Sequence, residues 1–144
     1  MNLYADTSLL ISYYINDSNS LRAQLVLQAS TDPLSFTGLH RLEMRNALAL
    51  GVFRRILTSS QVSAAWSDVD RDLRSGRLVP QPVNWIPVFR AAAEWAALHS
   101  PRIGCRSLDV LHVTLAKKLN AKEFFTFDER QKSLALALGL ATKP

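Results

Sequence analysis

The stretch EFFTFDER, residues 123–130, indicates the fold class of this 144-residue chain. Residues 123–127 form a short run rich in aromatic residues, which predicts a β-strand. Asp128 follows this strand directly, and a helical pattern covers residues 129–138. A short apolar strand that leads through an acidic residue into a helix is typical of parallel sheets covered by helices. We therefore expect an α/β protein.

The same alternation of strand and helix extends outward to both ends of the chain. No repeat or linker interrupts it, so we expect a single domain over residues 1–144 with a three-layer α/β/α fold and a short, mostly parallel central sheet. The other predicted strands cover residues 2–5, 33–37, 77–80 and a segment after Gly139. The other predicted helices cover residues 8–15, 19–30, 39–57, 60–75, 85–99 and 107–119.

The composition describes a folded protein with a basic surface. Hydrophobic residues make up 48% of the chain and the formal net charge is +5, which favours either simple solubility or a polyanionic partner such as a nucleic acid. The single cysteine, Cys105, allows no internal disulfide and fits a reducing cytosol. No segment approaches the roughly 20 apolar residues of a membrane helix, and no basic region precedes the run LLISYYI. We expect a cytoplasmic protein without a membrane partner.

Three aspartates lie at the starts of predicted helices. Asp6 follows the first strand, NLYA, and Asp128 follows the strand at 123–127, which places both where parallel sheets bind ligands. Asp109 lies in the first turn of the helix at 107–119, which Ser107 is expected to cap. Each of these aspartates could simply cap a helix or complement its dipole.

Glu43, in the stretch HRLEMRNALAL at residues 40–50, lies in the middle of a predicted helix and cannot be a cap. It is expected at the margin of the apolar face, where an unpaired charge costs several kcal/mol or so. An arginine or a cation could meet this charge. The apolar face is predicted to contain Leu39, Leu42, Leu50, Phe53 and Leu57.

The four acids together favour a divalent-cation site. Carboxylate oxygens are the ligands that hard cations such as Mg²⁺ prefer, and helix N-termini help to keep acids ionised. The sequence offers no combination of histidine and cysteine that suits a structural zinc site.

Four motifs carry a resemblance to a known family: YADTS (4–8), LEMRNAL (42–48), RSLDVLHVTLA (106–116) and FFTFDER (124–130). In these motifs and their order, the chain resembles the PIN-domain ribonucleases, and among them the VapC-type toxins of type II toxin–antitoxin pairs. The resemblance implies a PIN-like fold and hydrolysis of RNA that depends on Mg²⁺ or Mn²⁺. It implies a metal pocket formed by Asp6, Glu43, Asp109 and Asp128 and supported by Ser8, Asn46 and Thr126. An antitoxin protein and a second copy of the chain, in a homodimer, are the implied partners.

Other interpretations remain open at this point. The aspartyl-phosphate phosphatases need a second acid two residues after the first strand's aspartate, where this chain has Ser8. A non-catalytic basic α/β module that binds RNA or a protein is the main alternative, and it predicts that Asp6→Asn leaves function intact. Arg106 could contact a phosphate or pair with Asp109, and His112 could be a general base or a packed core residue.

Overall fold

The computed structural model describes all 144 residues, and they form two compact units. The discontinuous unit contains Met1–Asp6 and Pro82–Pro144, and the continuous unit contains Thr7–Gln81. No helix combines the length and apolar character that crossing a lipid bilayer would need. Every predicted strand and helix is present, with ends that agree to within about one helical turn. In chain order the elements are β1 (Tyr4–Ala5), α1 (Thr7–Tyr14), α2 (Ser20–Gln28), β2 (Leu34–Phe36), α3 (Gly38–Phe53), α4 (Ser59–Ser75), β3 (Leu78–Pro80), α5 (Trp85–Ile103), α6 (Ser107–Lys118), β4 (Phe124–Phe125), α7 (Glu129–Ala137) and β5 (Thr142–Lys143).

A three-stranded parallel sheet organises the discontinuous unit. Strand β4 lies between β1 and β5, and its two phenylalanines are fully buried, as expected where both faces of a parallel sheet are covered. Ala5 pairs with Phe125 in the register of β1 and β4. The residues that follow these two strands, Asp6 and Thr126, therefore leave the sheet at the same edge.

Helix α6 is the core helix of the discontinuous unit. Every residue from Asp109 to Ala116 is buried, and the helix packs against α5 and α7. The hydroxyl of Tyr4, in β1, lies 2.8 Å from Nδ1 of His112, and both side chains are buried. His112 therefore has the packed core position and not that of a solvent-accessible base.

The continuous unit contains the parallel pair β2–β3 and helices α1 to α4. A buried hydrogen bond joins α1 to α4: the hydroxyl of Tyr14 donates to Asp72 Oδ2 at 2.7 Å. Burial, reinforced by this bond to a carboxylate, raises the pKa of Tyr14 above its ordinary value of 10.0. The hydroxyl consequently remains a hydrogen-bond donor throughout the physiological pH range.

The predicted apolar face of α3 is right at Leu39, which is buried, and wrong at three other positions. Leu42 and Phe53 are 66% and 83% exposed, and Leu50 is also exposed. In their place the helix buries His40, Met44 and Leu48, and Glu43 is half-buried between these positions. His40 belongs to the buried set because its ring completes the capping box with Thr37 at the start of the helix.

Two helix ends also differ from the prediction. Helix α3 stops at Phe53, not at residue 57, because the chain turns back and the amides of Ile56 and Leu57 donate to the carbonyl of Gly51. A Cβ at Gly51 would lie 2.7 Å from Leu57 Cδ1, so any other residue at this position would require the Leu57 side chain to shift. Helix α5 passes through Pro101 and ends at Ile103, and Gly104, where φ is +73°, caps it.

Candidate metal centre

Asp6 is a buried carboxylate held by a hydroxyl from the neighbouring strand end. Its side chain is 2% exposed, and Thr126 Oγ1 donates to Asp6 Oδ2 at 2.7 Å. Its backbone amide donates to the carbonyl of Phe125 at 2.9 Å, which extends the β1–β4 pairing by one residue. The parallel register thus determines the contact between Asp6 and Thr126, although 120 positions separate them in the chain.

Asp128 is the N-cap of α7, as one of the two interpretations of the sequence proposed. Its Oδ1 accepts from the amides of Arg130 and Gln131 at 2.8 and 3.0 Å. Its own amide donates to Thr126 Oγ1 at 2.9 Å, so that hydroxyl contacts both aspartates. Because the cap uses only Oδ1, the other carboxylate oxygen of Asp128 is available to a ligand.

Asp109 is buried in the first turn of α6. Gln131 Nε2 donates to its Oδ1 at 2.9 Å, and the amide of Arg106 donates to its Oδ2 at 3.2 Å. The N-cap is Arg106, and not Ser107 as predicted. Asp109, the third residue of the helix, accepts the hydrogen bond from the backbone amide of Arg106. The Arg106 side chain is 76% exposed, and its Nε lies 3.4 Å from Asp109 Oδ2.

Hydrogen bonds join three of the four predicted acids into one group, which we call the acidic cluster. The path runs from Asp6 through Thr126 to Asp128, and from Asp128 through Gln131 to Asp109. All five residues belong to the discontinuous unit. The carboxylates are therefore oriented by protein donors and do not lie free on the surface.

The fourth acid, Glu43, belongs to the continuous unit. Thr7 Oγ1 donates to Glu43 Oε1 at 2.8 Å, and Thr7 is buried. Thr7 follows Asp6 directly in the chain. The two polar residues that the sequence suggested beside these acids, Ser8 and Asn46, are both exposed.

Comparison with known proteins identifies the family. The PIN domain family matches residues 3–136, which is nearly the whole chain. This chain belongs to the PIN domain family. The predicted PIN-like three-layer α/β/α class is accordingly confirmed, and the PIN domain here has the alternating helices and short parallel strands of that class.

Two solved structures resemble this PIN domain in fold. The first is VapC20 of Mycobacterium tuberculosis, a sarcin-ricin loop cleaving toxin, with 18% sequence identity and a TM-score of 0.65 over 92% of this chain and 94% of that chain. The second is FitAcB from Neisseria gonorrhoeae, with 15% identity and a TM-score of 0.58 over 99% of this chain and 96% of that chain. No curated relative matches the sequence.

The donor set of the acidic cluster fits a hydrated hard cation. No three His, Cys, Asp or Glu side chains are arranged in this structure as direct ligands of one ion. Mg²⁺, however, keeps several waters and needs only one or two carboxylates. The free Oδ2 of Asp128 and a buried Gln131 Oε1 that has no hydrogen-bond partner are suitable acceptors for such an ion and its waters.

The charges of the acidic cluster affect Cys105, in the middle of the connection between α5 and α6. Burial raises the pKa of the Cys105 thiol above its ordinary value, and the charges of Asp109 and Asp128 raise it further. The thiol lies 3.5 Å from the carbonyl of Arg130. The raised pKa disfavours the Cys105 thiolate, which is the form that reacts with electrophiles and binds metals.

Sequence reasoning missed two polar residues of this region, Thr7 and Gln131. The sequence predicts Ser8 as the supporting hydroxyl, but the hydroxyl that contacts Glu43 is that of Thr7, the first residue of α1. Gln131 had a partial signal, because an acid followed three residues later by glutamine is typical of a helix start. Its side chain bonds Asp109, 22 positions away, and no local pattern predicts that contact.

Proposed function

We propose that this PIN domain is a metal-dependent endoribonuclease that hydrolyses RNA phosphodiester bonds, and that it is the toxin of a toxin–antitoxin pair. The observation that carries the proposal is the acidic cluster, in which donors orient three carboxylates at the end of a parallel sheet. Membership of the PIN domain family supports it, since PIN nucleases generally use divalent metal ions. The similarity in fold to VapC20, a toxin, supports the biological role.

Asp6, Asp109 and Asp128 would hold a hydrated cation, Mg²⁺ or Mn²⁺, and Glu43 is proposed as a further metal ligand because the resemblance to PIN-domain ribonucleases implies it. Glu43 accepts a hydrogen bond from Thr7, and Thr7 follows Asp6 directly in the chain. A bound divalent cation lowers the pKa of water and neutralises charge on the phosphate. Thr126 and Thr7 keep the carboxylates oriented. Ser8 and Asn46, although exposed, are still proposed to support the metal site. If they do, Ser8→Ala and Asn46→Ala should each reduce RNA cleavage.

Exposed arginines next to the acids supply the attraction for RNA. Arg106 is adjacent to Asp109 and its guanidinium is mostly exposed, and Arg130, two residues after Asp128, is also exposed. The excess of basic residues, with a net charge of +5, adds a general attraction that salt weakens. The arginines bind and orient the phosphate while the acidic cluster holds the cation.

The decisive experiment is an RNA cleavage assay in Mg²⁺ or Mn²⁺, with EDTA, and with Asp6→Asn. We expect chelation to abolish cleavage and Asp6→Asn to reduce it by about 100-fold or more, beyond the 10–100-fold typical of residues that only support metal ligands. Asp70→Asn is the matched control, because Asp70 is exposed on α4. Cleavage that survives both EDTA and Asp6→Asn would contradict the mechanism. RNA binding without cleavage by the parent protein would favour the non-catalytic basic module.

The toxin role needs a separate test in cells. We expect expression of the chain to arrest growth, co-expression of a small protein encoded by the neighbouring gene to restore it, and Asp6→Asn to be harmless. Absence of any such neighbouring gene would remove the basis for an antitoxin partner. Light scattering on the purified protein tests the proposed homodimer, and fractionation of cells tests the proposed cytoplasmic location.

A further inference from the structure

Gln131 connects two of the three aspartates of the acidic cluster. It is the third residue of α7, and its backbone amide donates to Asp128 Oδ1 at 3.0 Å. Its side chain reaches to α6, where Nε2 donates to Asp109 Oδ1 at 2.9 Å. Its side chain is 6% exposed. Gln131 therefore links Asp109 to Asp128 through one side-chain and one backbone hydrogen bond.

The hydrogen bond to Asp109 determines which way the Gln131 amide faces. The carboxylate oxygen is the acceptor in this bond, so the amide presents its NH₂ group to Asp109. The opposite orientation would place the amide oxygen against the carboxylate and lose the bond. Gln131 Oε1 is therefore directed away from Asp109 in a fixed orientation.

Gln131 Oε1 is buried and has no hydrogen-bond partner. A buried acceptor without a donor is unfavourable, so this acceptor, on the residue that contacts both Asp109 and Asp128, points to a donor that binds there in the working protein. A bare cation would favour the carboxylates first. A hydrated divalent cation brings water molecules, and their hydrogens are the donors that an amide oxygen accepts.

We propose that Gln131 is a positioning residue of the metal centre, with two distinct contacts. Its amide nitrogen holds Asp109 toward the cation, and its amide oxygen accepts a hydrogen bond from a water of the cation's hydration shell. The inference rests on the proposed function and adds to it a residue outside the four acids. Hydrogen bonds to metal ligands typically contribute 10–100-fold to metal affinity.

The test measures Mn²⁺ binding by calorimetry, without RNA, on the full-length chain. Gln131→Met keeps an unbranched side chain of similar length and removes both contacts, and Gln131→Asn keeps the amide but shortens its reach. We expect both variants to bind Mn²⁺ about 10–100-fold more weakly than the parent. Gln24→Met, the same chemical change at an exposed position of α2, should bind like the parent.

Stability is measured alongside, because a purely structural glutamine would change the melting temperature without changing the affinity of the folded protein. All titrations are therefore run well below the melting temperature of each variant, and Gln131→Asn decides the matter if Gln131→Met does not fold. Parental Mn²⁺ affinity in a folded Gln131 variant would overturn this inference and leave the proposed function intact. Absence of Mn²⁺ binding by the parent would overturn both.

Discussion

Replacement of Thr126 by valine tests whether the acidic cluster is held as the structure describes. The hydroxyl of Thr126 makes two contacts, donating to Asp6 Oδ2 at 2.7 Å and accepting from the amide of Asp128 at 2.9 Å. Valine has nearly the same shape and fills the same buried space, so the substitution removes the two hydrogen bonds and leaves the packing.

The expected loss follows from the kind of each bond. A hydrogen bond to a charged group contributes about 1.5–3 kcal/mol, and a bond between neutral groups about 1 kcal/mol. The Asp6 carboxylate is 2% exposed, so water cannot easily replace the lost donor. We expect Thr126→Val to lower the free energy of unfolding by about 3 kcal/mol in total, and the melting temperature by roughly 6–12 °C.

Urea denaturation followed by circular dichroism measures this loss, and Thr126→Ser is the matched control. Serine keeps the hydroxyl and removes one methyl group, which costs about 0.8 kcal/mol. RNA cleavage should follow the same order, with the serine variant near the parent and the valine variant reduced about 10–100-fold. A valine variant as stable as the serine variant would show that the Thr126 hydroxyl does not hold Asp6.

Three further predictions concern other parts of the chain. The raised pKa of Tyr14 keeps it protonated in the folded state, so above pH 10 the unfolded chain ionises first and the folded state loses about 1.4 kcal/mol of stability per pH unit. Tyr14→Phe should remove this contribution to the alkaline loss of stability, as measured by urea denaturation at each pH. The raised pKa of Cys105 should make its alkylation by iodoacetamide at pH 8 slower than that of a peptide thiol, and Asp109→Asn should accelerate it; an unchanged rate would contradict the proximity of the two groups. On α3, thermal unfolding should show that Met44→Ala costs about 2–5 kcal/mol and Leu42→Lys less than about 0.5 kcal/mol, the reverse of what the predicted apolar face implies.

Much of the fold could be predicted because its signals are local. A short apolar strand, an acid and a helical pattern follow one another at residues 123–138, and each can be recognised from adjacent residues. The same reasoning placed Asp6 directly after a strand, where the structure has it, but Asp128 lies three residues beyond the end of β4 at Phe125 and is the N-cap of α7. The roles of these acids as metal ligands stay a prediction, which measurements of metal binding would test.

The prediction failed where burial depends on the rest of the fold. Helix α3 has apolar residues on more than one side, so the periodicity alone could not show that Met44 faces inward and Leu42 outward. A prediction that considers only apolar residues also misses a buried polar residue, such as His40 at the start of the same helix. The bond from Gln131 to Asp109 joins two helices, and its geometry exists only after both have packed.

The pairing of β1 with β4 has a consequence for when the acidic cluster can form. Asp6 and Thr126 are 120 positions apart, and a ribosome that adds 5–20 residues per second needs about 6–24 s to pass from one to the other. During that interval a nascent chain carries Asp6 without strand β4 beside β1 and without the Thr126 hydroxyl that donates to Asp6. Half-made chains and fragments that stop before residue 124 therefore carry no assembled cluster, and translation itself times the onset of any cleavage.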